Sequence, residues 1–134
     1  MEKLYTAKAT ATGGRNGHVL SEDGTLDIDV RPPGSAGKHL NPEILFAGGY
    51  AACFDSALNN VIRMSKIQTG TTSVTAEVSL GKNDNGGYSL EVVLIADIPG
   101  IEKSQAEELI NKAHQVCPYS NATRGNIPVK LMVK

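Results

Sequence analysis

Between Ile44 and Ile62 the chain carries a single charged residue, Asp55, and apolar side chains fall on nearly every side of a helical wheel. A helix that is apolar all round must be buried all round. A lone chain of 134 residues buries only about two-thirds of its unfolded surface and is short of material to surround such a helix. The stretch therefore predicts a central helix partly covered by a second subunit. Its start is marked by Asn41-Pro42-Glu43: a capping amide, proline at the first helical position, and a carboxylate in the positive first turn. The pattern carries the helix to the neighbourhood of Lys66.

The flanking segments read as strands and one further helix. Leu4 to Ala11 alternates loosely, Gly13-Gly14-Arg15-Asn16-Gly17 is a strong turn, and His18 to Ser21 returns as a hairpin partner. Leu26, Ile28 and Val30 alternate with Asp27 and Asp29, giving one buried and one wet face. Thr72 to Leu80 and Tyr88 to Ala96 alternate on either side of the turn Asn83-Asp84-Asn85-Gly86-Gly87. Ala106, Leu109, Ile110, Ala113 and Val116 form the stripe of a second helix, with Ser104 and Glu107 as a capping box or a start two residues earlier. Pro118 ends it, and Ile127 to Val133 forms a last strand. Strands, helix, hairpin, helix, strand predicts an α+β domain with a largely antiparallel sheet, one domain over residues 1–134.

A formal net charge of -1 gives no electrostatic case for nucleic acid or an anionic membrane. No apolar run reaches spanning length or resembles a signal peptide, so the expected location is the cytoplasm. In that reducing setting the only two cysteines, Cys53 and Cys117, are inert buried thiols, metal ligands or redox groups rather than a permanent crosslink. His18, His39 and His114 have no ligand spacing with either cysteine, so no metal site is expected.

A thiol pair can supply one attacking and one resolving sulfur, the minimum for thiol peroxidase chemistry. Burial in the apolar helix raises the pKa of Cys53 above its ordinary value of about 8.5, so a working Cys53 requires a fixed cation beside it. Arg15, at the tip of a glycine-rich turn, is the better candidate, with Arg124 as the second. An arginine stays charged and can hold a thiolate and a carboxylate on different edges. Glu43 is a carboxylate suited to orient it, although an acid in a first helical turn is stabilising without any such role. In one straight helix, residues 43 and 53 lie about 15 Å apart along the axis. If both serve one site, the helix breaks near Gly48-Gly49, or Glu43 works with a distant partner loop or another subunit. Cys117 closes a helix, where the dipole disfavours a thiolate, which suits a resolving thiol.

Asn41-Pro42-Glu43, Leu45-Phe46-Ala47 and Gly49-Tyr50-Ala51-Ala52-Cys53-Phe54 together resemble the organic hydroperoxide resistance (Ohr) proteins of the OsmC/Ohr family. So does the run from Ala113-His114-Gln115-Val116-Cys117-Pro118 through Tyr119-Ser120-Asn121-Ala122-Thr123-Arg124-Gly125-Asn126. The resemblance implies antiparallel sheets wrapped around a central buried helix in an intertwined homodimer. It implies Cys53 as the peroxidatic cysteine, Cys117 as the resolving one, and Arg15 with Glu43 as the activating ion pair. It further implies organic hydroperoxides, including those of fatty acids, as substrates. It implies that no cofactor is bound and that electrons come from dihydrolipoyl groups of a lipoylated protein or from other dithiols. Leu45, Phe46 and Phe54 are the expected lining of an alkyl groove. A redox sensor that forms the same disulfide without turnover, and an apolar-ligand domain with structural cysteines, are the competing readings.

Overall fold

A computed structural model describes all residues, Met1–Lys134. They group into two compact units, Met1–Leu45 and Phe46–Lys134.

In the first unit β1 (Ala9–Thr12), β2 (His18–Ser21) and β3 (Asp27–Asp29) form an antiparallel sheet in that order. The expected first strand is shorter than its sequence pattern, because β2 offers partners only as far as Ala9 opposite Ser21. A single 3-10 turn, Gly14–Asn16, joins β1 to β2. Gly13 has φ 81° and Gly14 φ 60°, and a Cβ on Gly17 would lie 1.7 Å from the carbonyl oxygen of Thr12. Only glycine fits there.

The helix α1 (Pro42–Met64) starts where the sequence marks it: the side-chain oxygen of Asn41 accepts the N–H of Ile44 at 2.9 Å. It runs through Gly48 and Gly49 without a break.

In the second unit, β4 (Ser73–Lys82) and β5 (Tyr88–Asp97) form the expected hairpin, paired from Ser73–Asp97 to Lys82–Tyr88. The helices α2 (Lys103–Val116) and α3 (Pro118–Thr123) follow, then β6 (Val129–Val133). This sheet is mixed rather than antiparallel: β6 runs parallel to β5, from Val92–Val129 to Ala96–Val133. The cause is the connection, since a helical crossover returns the chain in its original direction. Glu102 caps α2 with no side-chain hydrogen bond, so the Ser104–Glu107 box is not made and the start lies two residues earlier.

The core packs Tyr50, Phe54, Leu58 and Ile62 of α1 against Val92, Leu94 and Ala96 of β5 and Ala106, Leu109, Ile110 and Ala113 of α2. Each such large side chain contributes about 1.5–3 kcal/mol by leaving water. The buried stripe of α1 recurs every fourth residue, while Gly48, Ala52, Ser56 and Asn60 are exposed in the single chain. Burial of α1 on all sides is therefore not achieved by one chain.

Candidate active site

Arg15 and Glu43 lie 28 residues apart and meet as a two-pronged pair: Nη1 donates to Oε2 at 2.8 Å and Nη2 to Oε1 at 2.6 Å. The rigid turn between two tight glycines presents the arginine, and the first turn of α1 presents the glutamate. The hydrogen bonds from Arg15 hold the Glu43 carboxyl below the usual range against the opposing effect of burial, and those to Glu43 raise Arg15. The pair is therefore charged throughout the neutral range. Arg15 keeps 45% of its side chain exposed and Glu43 only 12%. The guanidinium has five N–H donors and spends two on Glu43. The remainder are free for an anion.

In the second unit the thiol of Cys117 donates to Cys53 Sγ at 3.6 Å, and neither sulfur is in a disulfide. A bonded pair is about 2.05 Å apart. A shift well short of a side-chain length closes that gap. Burial pushes the Cys53 thiol up, the backbone N–H of Tyr119 pulls it down, and the neighbouring Cys117 adds to the rise. No cation of Phe46–Lys134 is among these influences. Arg124, the second candidate, bonds the carbonyl of His114 and donates to Asn121 Oδ1 at 2.8 Å, closing the end of α2.

Cys117 occupies a junction that sequence pattern did not show. It ends α2, its N–H bonding the carbonyl of Ala113, and it also caps α3, with Pro118 at the first helical position. The polar residues of α3 form a helix whose polar groups are bonded inside. The Tyr50 hydroxyl bonds Ser120 Oγ at 2.9 Å and Thr123 Oγ1 at 3.1 Å, and His114 Nδ1 bonds Ser120 Oγ at 2.8 Å. Tyr50 and Ser120 are fully buried, and burial lowers the pKa of His114 with help from the charge of Arg124. This chain fixes the first turn of α3, and with it Cys117, to α1 and α2. Gly49 allows the approach, since a Cβ there would stand 2.7 Å from the Tyr119 hydroxyl.

A groove of about 500 Å³ opens on Cys53, walled by Ala57, Val116 and Pro118 and reaching Asn60 and Arg63. The expected aromatic lining is not there. Phe54 is wholly in the core, and Phe46 packs edge-on against Tyr50 and Tyr119. No group of three His, Cys, Asp or Glu side chains is placed to hold a metal. His18 instead ties neighbouring strands, Nδ1 to Asp29 at 2.7 Å and Nε2 to Asp27 at 2.5 Å.

Residues 35–132 match the family described as OsmC-like protein. The chain is 46% identical to organic hydroperoxide resistance protein OhrB of Bacillus subtilis, covering 98% of each. It is 48% identical to the organic hydroperoxide resistance protein of Xanthomonas axonopodis pv. citri, covering 96% of this chain and 93% of that one. The chain belongs to the organic hydroperoxide resistance branch of the OsmC/Ohr family. Among solved structures it is similar to the family protein of Elizabethkingia anophelis, with a TM-score of 0.95, 61% identity, and 100% and 99% coverage. It is also similar to one from Vibrio cholerae, described with captopril in one of its active sites, with a TM-score of 0.92, 48% identity, and 99% and 94% coverage. The two small sheets and three helices are thus the OsmC/Ohr fold, and the family's role is peroxide resistance. No helix is long and apolar enough to cross a membrane.

Proposed function

We propose that the chain is a cytoplasmic, thiol-dependent peroxidase that reduces organic hydroperoxides, fatty-acid hydroperoxides among them, to alcohols. The observation that carries this reading is the 3.6 Å approach of Cys117 to Cys53, one sulfur half-buried beside an open groove and the other fully buried behind it.

The Cys53 thiolate attacks the outer peroxide oxygen. The O–O bond breaks, the alkoxide leaves with a proton as alcohol, and Cys53 becomes a sulfenic acid. The Cys117 thiol then attacks that sulfur, expelling water and forming the Cys53–Cys117 disulfide. A dithiol, for which we take the dihydrolipoyl group of a lipoylated protein, reduces the disulfide by exchange and is itself oxidised. No bound cofactor takes part.

The first step needs a cation, because the surroundings of Cys53 in its own unit raise the thiol. The Arg15 guanidinium, oriented by Glu43, has unused donors for the thiolate and for the charge growing on the departing oxygen. Since α1 is unbroken over the ten residues from Glu43 to Cys53, we assign the ion pair to Cys53 of the partner subunit in a homodimer. The small, uncharged face of α1 at Gly48 and Ala52 is in keeping with such a partner.

Treatment with one equivalent of an organic hydroperoxide, followed by intact mass and peptide mapping, tests the reading. Loss of two hydrogens and a crosslinked peptide joining positions 53 and 117 are expected. A stable, uncrosslinked sulfenic acid or an unmodified chain would overturn it. Continued peroxide consumption with dihydrolipoamide separates an enzyme from a sensor, which oxidises once and stops.

A further inference from the structure

Arg63 is the one cation among the residues of Phe46–Lys134 that border the groove opening on Cys53, and no role above uses it. On α1 the residues Cys53, Ser56, Ala57, Asn60 and Arg63 follow the three- and four-residue spacing of a single helix face. The groove thus tracks the helix for ten residues, about 15 Å from the sulfur to the position of Arg63. Its opposite wall is Val116 and Pro118.

The guanidinium of Arg63 has no carboxylate partner. Its single hydrogen bond runs from Nη2 to Asn60 Oδ1 at 2.5 Å. Because Asn60 accepts through its oxygen, its amide nitrogen remains a donor beside the arginine. Asp55, the one acid along this stretch, is held elsewhere: its Oδ1 accepts Thr72 Oγ1 at 2.6 Å. Asn59 is likewise spent on Thr72 and on the Asp55 carbonyl. What is left at the far end of the groove is a fork of N–H donors with net positive charge and no acid to neutralise it. That matches a planar carboxylate.

We propose that Arg63, helped by the Asn60 amide, binds the carboxylate of a long-chain carboxylic acid hydroperoxide. The alkyl chain lies over Ala57, Val116 and Pro118, with the peroxide at Cys53. This inference rests on the peroxidase reading and adds a specificity-determining residue to it: the enzyme distinguishes a free acid from its ester by the end opposite to the reacting oxygen. Arg63 is too far along the helix to touch the sulfur, so it acts on substrate binding and not on the thiolate.

The test compares a long-chain fatty-acid hydroperoxide with its methyl ester in the full-length protein and in Arg63→Gln, with Lys82→Gln, on the distant hairpin, as a charge control. The ratio of kcat/KM for acid over ester is expected to fall about tenfold in Arg63→Gln, through KM, a change worth about 1.4 kcal/mol. In Lys82→Gln the ratio is expected to stay. An unchanged ratio in Arg63→Gln, or an equal fall in the control, overturns the proposal. A second arm needs no turnover: calorimetric binding of the unoxidised fatty acid and of its ester. Preference for the acid that is lost in Arg63→Gln supports the site even if the peroxidase reading fails. Equal binding of acid and ester by the unaltered protein refutes the site even if peroxide is consumed.

Discussion

The two units solve opposite problems. Phe46–Lys134 holds a continuous apolar core with Cys117 inside it and Cys53 packed against it, while Met1–Leu45 has only Val30 fully buried and is held by charges and hydrogen bonds. In the first unit the acid–base ties are Arg15–Glu43, Lys8–Glu22 and the bracket of His18 between Asp27 and Asp29. A greasy environment is a good place to keep a thiol from solvent and a poor place to ionise it. A wet environment keeps a guanidinium charged at little desolvation cost. On the proposed reading, keeping the reacting sulfur and its activator in different units lets each sit where it is stable alone.

That division makes the sharpest prediction an asymmetric one. Arg15→Lys or Glu43→Gln should lower kcat/KM for hydroperoxide by about 10²–10³, the usual effect of losing a placed donor at a developing oxyanion. Thermal stability should scarcely move. A lysine that restores full rate would show that charge alone, without the fork, suffices. The rising limb of the pH–rate profile should also move to higher pH in the variant, since only the backbone N–H of Tyr119 is then left to offset the raised Cys53 thiol.

In the core the pattern should invert. Leu58→Ala removes a fully buried side chain and should cost about 2–5 kcal/mol in denaturant unfolding. Peroxide turnover should persist where the protein remains folded. Tyr50→Phe is the intermediate case, because it strips the hydroxyl that bonds Ser120 and Thr123 while leaving the ring packed. Ser120 keeps His114 and Thr123 keeps the Ser120 carbonyl, so each of the two lost bonds should cost about 0.5–1.5 kcal/mol. Because α3 loses a tether, the sulfenic acid of Cys53 should also live longer before crosslinking, as read by a dimedone trap.

The smallest effect lies in the first sheet. Hydrogen bonds donated to Asp29 and then to Asp27 raise the pKa of His18, so the stability it adds is complete below its unfolded value of about 6.5 and is lost as pH rises through the folded pKa. Asp29 is depressed chiefly by His18, so its share is present above its unfolded value and fades as pH falls through the folded one. Amide exchange at Val19 and Ile28, paired across β2 and β3, should be slowest in the mildly acidic window and quicken above it. No such dependence should remain in His18→Ala.

What could be read beforehand divides along physical lines. The start of α1 was legible because a capping Asn and a Pro act locally, and the long hairpin because alternation and its turn agree. The Arg15–Glu43 pair was legible as two residues whose positions suited the task. The helix α3 was not, because Ser120 and Thr123 are buried by hydrogen bonding to Tyr50 and leave no apolar period to detect. The direction of β6 has no local signature at all, since the crossover decides it. The groove lining was misplaced for a related reason: Phe54 faces the core one helix position away from Cys53, and adjacent residues on a helix point about 100° apart.

Cys117 has no solvent-accessible surface. A sulfur with no exposed surface is shielded from stray alkylation and from over-oxidation, and in the proposed cycle the oxidant that reaches it is the one formed next door. On the proposed peroxidase reading, access would fix the sequence of events: the front sulfur reacts first, and the rear one answers only to it.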